Sequence, residues 1–142
     1  MQNSMIKNKI LVLLLTLFSL SCSSQKINRI DILYVDPEIE TPFRIKCEEF
    51  EKFFIADLDS VSIHNNALIQ KFSDELEKLS KADIAKYSLP DTRIKIKLIY
   101  EDKINELCAD KFVITKQNDI YILSESLKAF INNAVFNMVW KQ

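Results

Sequence analysis

The stretch Arg93-Ile94-Lys95-Ile96-Lys97-Leu98-Ile99-Tyr100 decides the fold class. Ile94, Ile96, Leu98 and Tyr100 alternate with Arg93, Lys95, Lys97 and Ile99, the two-residue period of a strand with one face on a core. Downstream, Val113 to Thr115 and Ile120 to Leu123 flank Lys116-Gln117-Asn118-Asp119, a hairpin signal. The chain contains no glycine, so asparagine and aspartate are the residues expected where the backbone needs positive φ. Upstream, Asn65-Asn66 opens a helix whose stripe is Leu68, Ile69, Phe72, Leu76 and Leu79. Ser124 caps a closing helix carrying Leu127, Phe130, Ile131, Ala134, Val135 and Met138 with helical period.

Nearer the start, Ile27 to Val35 alternates as a strand, and after a connection bracketed by Asp36-Pro37 and Thr41-Pro42 the residues Phe43, Ile45 and Cys47 predict a second short one. Phe50, Phe53 and Phe54 predict one or two helical turns, and Val61 with Ile63 another short strand. Strands cluster and the two long helices separate or follow them, without a βαβ rhythm. The expected architecture is α+β: an antiparallel sheet of four to six strands covered on one face by two main helices.

Composition removes several functions. A Walker loop or a G-x-G-x-x-G turn requires backbone amides approached without a Cβ, which a chain without glycine cannot supply. From Cys22 onward 17 basic groups face 20 acidic ones, a net charge of −3 and a poor match to nucleic acid.

The first residues, MQNSMIKNKILVLLLTLFSLSCSSQK, have the three parts of an export signal. Lys7 and Lys9 precede an apolar run from Ile10 to Leu20, and Ser19 and Ser21 are small residues suited to a cleavage site. As a helix the apolar run extends about 16 Å, roughly half a bilayer core. Ser19-Leu20-Ser21-Cys22 resembles a lipobox, with its leucine one place later than the usual pattern. The resemblance to small bacterial lipoproteins implies cleavage before an acylated Cys22. No aspartate follows that cysteine, so the implied address is the periplasmic face of the outer membrane. Ordinary signal peptidase cutting the same bond would instead give a soluble periplasmic or secreted chain. The expected organisation is a signal over 1–21, a tether over 22–26 and a single α+β domain over 27–142.

Cys47 and Cys108 form an even pair once Cys22 is set aside, a disulfide candidate in an oxidising compartment. The alternative is two buried thiols. His64 is the only histidine, with Asp57 and Asp59 just upstream, so Asp57, Asp59 and His64 are the candidates for a metal ion or for hydrolytic chemistry. Asp36, Glu38 and Glu40, and separately Glu48, Glu49 and Glu51, are carboxylate groups suited either to a hydrated surface or to paired acid–base work. Arg93, Lys95 and Lys97 line one face of the Arg93–Tyr100 strand: either simply the wet side of an antiparallel sheet or, if exposed, a basic stripe for an anionic partner.

No catalytic constellation and no cofactor motif emerges. The expected function is a membrane-tethered, non-catalytic binding module with a protein partner in the envelope and none among nucleic acids. A small periplasmic hydrolase or metal-binding protein built on Asp57, Asp59 and His64 is the alternative.

Overall fold

The structure, a computed structural model, describes residues 25–135. The expected signal over 1–21, the expected acylation site Cys22, and Met138, expected in the closing helix, lie outside the described residues. Six strands form one antiparallel sheet: β1 (Arg29–Tyr34), β2 (Asp59–Ile63), β3 (Ile94–Ile99), β4 (Ile104–Ala109), β5 (Val113–Lys116) and β6 (Asp119–Ile122). Their order across the sheet is β2-β1-β3-β4-β5-β6, so the first strand of the chain lies inside the sheet. The helices are α1 (Phe50–Phe53), α2 (Asn66–Glu77) and α3 (Glu125–Ala134).

Alternation puts Ile30 and Ile32 of β1, Ile94, Ile96 and Leu98 of β3, Leu107 of β4 and Ile114 of β5 on one face. Helices α2 and α3 cover that face with Ile69, Phe72, Leu76, Leu127, Phe130 and Ile131, all buried. Phe72 and Phe130 meet at 5.4 Å between ring centroids. Truncating either to alanine removes about 3–5 kcal/mol of packing.

Local chemistry fixes both helix starts. The Asn65 side chain accepts from the Ala67 and Leu68 amides, and Ser124 Oγ accepts from the Leu127 amide. The β5–β6 turn is Gln117-Asn118 with φ of 52° and 70°, so glutamine shares the left-handed conformation with asparagine while Asp119 already belongs to β6.

Residues 36–58 cross the opposite face of the sheet as a strap. Ile45, Phe50 and Phe54 are buried there with Val35, next to half-buried Leu33, Ile39 and Leu58. The expected strand over Phe43, Ile45 and Cys47 is absent. The Ile45 amide donates to Asp91 Oδ1 at 2.8 Å, and its carbonyl accepts from the Thr92 amide at 2.9 Å. With its backbone committed to the approach to β3, and Phe43 exposed, no ladder develops. Near the other end of the sheet Ala82 and Tyr87 cover Val113 and Ile120 on this same face.

Candidate functional site

Helices α2 and α3 run in opposite directions, with Ser126 at the start of α3 donating to the Glu75 carboxylate near the end of α2. A groove of about 710 Å³ runs along these two helices and the end of β2. Val61, Leu68, Ala129, Phe130 and Ala134 give it an apolar lining, while His64, Lys71, Glu75 and Asn133 contribute polar groups. Leu68, expected in the core stripe, is 45% exposed and presents its side chain to this groove. Nothing in the sequence marks the groove, because its residues come from the outer flanks of two helices and from β2.

The hydrogen bond from Ser126, followed by that from Lys78 at 2.9 Å, holds Glu75 below the ordinary carboxylate range. It is therefore an anion and an acceptor near neutral pH. Lys71 is exposed and makes no ion pair among the described residues; its charge reaches Glu75 only at longer range. His64 is exposed, and its side chain makes no hydrogen bond among the described residues.

Asp57, Asp59 and His64 are not brought together. β2 is extended from Asp59 to Ile63, which separates Asp59 from His64 by about 16 Å along the strand. Asp59 instead lies opposite Tyr34. Partial burial, and then the Asp59 charge, raise the Tyr34 phenol above its usual value. Among the described residues no group of three His, Cys, Asp or Glu side chains is placed to hold a metal ion.

Arg93, Lys95 and Lys97 do share a face of β3, but the face is not wet. The strap buries Arg93 and Lys95 and half-buries Lys97. Arg93 pairs with Asp91 at 2.9 Å, donates to Thr41 Oγ1 at 3.0 Å, and lies over the Phe54 ring. Lys95 reaches Glu51 at 2.9 Å and Glu106 at 3.0 Å, and Lys97 reaches Glu51 at 2.9 Å. The basic stripe thus fastens the strap to the sheet and is not offered to an anionic partner. Burial works to lower the Lys95 pKa, but the hydrogen bonds to Glu51 and Glu106 outweigh it and raise it.

Cys47 of the strap and Cys108 of β4 are joined as a disulfide with Cα atoms 5.7 Å apart. Of the remaining carboxylates, Asp36 accepts from the Glu38 amide in a turn, and Glu40, Glu48 and Glu49 are exposed. Among the described residues no helix is long and apolar enough to cross a membrane. No protein-family model matches the chain, and neither the curated proteins nor the solved structures give a match.

Proposed function

We propose that the protein is an envelope lipoprotein, tethered through acylated Cys22 to the periplasmic face of the outer membrane, that acts as a non-catalytic binding module. The observation that carries this reading is the apolar groove of about 710 Å³ between α2 and α3, large enough to seat side chains of another protein. A groove walled by two antiparallel helices and β2 has room for a third, amphipathic helix. Its anchors, spaced i and i+4, would enter between Leu68 and Ala129. Lys71, which makes no ion pair among the described residues, favours an acidic residue at the edge of that helix. The disulfide supports an oxidising compartment, and the lipobox-like segment supports the anchor.

A photo-crosslinking residue at Ala129 tests the site in intact envelopes. A discrete adduct is expected that disappears when Leu68→Glu places a charge in the groove, with no such adduct from a crosslinker at exposed Ile55. Identical adducts from both positions, or an adduct indifferent to Leu68→Glu, would reject the groove. Intact mass of the purified protein tests the anchor. A chain starting at Cys22 with added acyl mass is expected, and a retained N-terminus would overturn it.

A further inference from the structure

The chain is fixed to one end of the sheet from its first described residues. Ile27 is buried, the Asn28 amide donates to the Ile99 carbonyl at 2.8 Å, and the Gln25 side chain reaches the Asp102 carboxylate at 3.3 Å. Residues 25–28 therefore lie against residues 100–103, the turn between β3 and β4. Cys22 stands three positions before Gln25, and three residues span at most about 11 Å when fully extended.

We infer that the domain rests on the bilayer through this end, the β3–β4 turn and the start of β4 sitting in the lipid headgroup layer. The inference rests on the anchor at Cys22 proposed above. Acyl chains on Cys22 enter the hydrocarbon, so the residue itself is held in the headgroup layer, which is about 5–8 Å deep on each side of the bilayer. A span of about 11 Å from there to Gln25 leaves no room for the turn to stand clear of the surface. The side chains at this end suit that setting. Ile104 is 57% exposed beside its half-buried register partner Ile99, and Lys103 lies 5.1 Å from the centroid of the half-buried Tyr100 ring. Tyrosine and lysine carry an apolar body and a polar tip, which places them well where hydrocarbon meets water. Lys26 and Lys103 balance Glu101 and Asp102, so the contact does not require anionic lipid. Other exposed apolar side chains stand away from this end. Phe112 follows β4, which carries the chain about 17 Å from Ile104 to Ala109. Ile55 shortly precedes Asp59, which pairs with Tyr34 at the far end of β1.

The test uses the full chain purified from membranes and reconstituted into phosphatidylcholine vesicles that carry a nitroxide on the headgroup. With Cys47 and Cys108 paired and Cys22 modified, a fluorophore is attached at Ile104→Cys, Phe112→Cys or Ile55→Cys, all exposed positions. The protein is expected to float with the vesicles, and quenching at position 104 to be several-fold stronger than at 112 or 55. Floating protein quenched equally at all three positions, or not at 104, overturns the end-on contact while leaving the anchor in place. Stronger quenching at 55 lays the domain on its strap and overturns it too. Protein that fails to float lacks the anchor, and the orientation falls with it.

Discussion

Glu51 bridges Lys95 and Lys97 at 2.9 Å each, and these contacts hold α1 and the strap against β3. The hydrogen bonds from Lys95 and then Lys97 lower its pKa below the ordinary 4.5. A carboxylate depressed in the folded state stabilises fully above its unfolded value, and that contribution is lost as pH falls through the folded one. Lys95 has the opposite sign: its raised pKa contributes below 10.5 and is lost as pH climbs past that value. Stability from this cluster is therefore level between these limits and declines outside both. Glu51→Gln is expected to cost about 1–2 kcal/mol at neutral pH, a modest figure because Glu51 is partly exposed. Urea unfolding should show the difference from the parent shrinking as pH falls below 4.5. Lys95→Met, which removes the buried charge and leaves Glu51 its second lysine, should change stability less at neutral pH.

The β5–β6 hairpin sets the next test at the level of an element. Gln117 and Asn118 both hold positive φ, a conformation that costs non-glycine residues about 1 kcal/mol, with asparagine the better tolerated. Changing the pair to Asn-Gly is expected to stabilise the domain by about 0.5–1 kcal/mol and raise Tm by several degrees, measured by thermal unfolding. This hairpin was legible because its turn residues are polar and its flanks alternate. The same holds for α2 and α3, whose caps Asn65 and Ser124 bind the first-turn amides. Strand β4 was not legible, since Leu107, Cys108 and Ala109 are buried in succession and give no alternation. The buried stripe on β3 misled for a related reason: local pattern reports which residues share a face, not what crosses it. Glu51 and the residues that cover Lys95 are some 40 positions away in sequence. The groove was hidden likewise, because helical spacing assigns Leu68 to the core stripe while in the structure it is exposed in the groove wall.

For the molecule as a whole, the Cys47–Cys108 disulfide ties the strap to β4 beside the Lys95 cluster, Cys108 being the register partner of Lys95. Closing the 62-residue loop is worth about 4 kcal/mol in the chain-entropy model. Non-reducing peptide mapping of alkylated protein should recover a linked fragment containing both cysteines. Replacing both with serine should lower the urea midpoint, and recovery of two free thiols would count against the bond. The placement of β1 has a further consequence, for the time course of folding. Its neighbours are β2 and β3, and β3 pairs Arg29 with Ile99 across 70 positions of chain. At roughly 5–20 residues per second, a ribosome needs about 4–14 s to make the intervening residues. During that interval β1 lacks one of its two neighbours, and the face formed by Ile30 and Ile32 has no β3 beside it. High contact order of this kind slows folding into the range of milliseconds to seconds. The chain therefore emerges with its earliest strand waiting for its middle, a delay that keeps it open to a chaperone or a translocation channel until β3 is made.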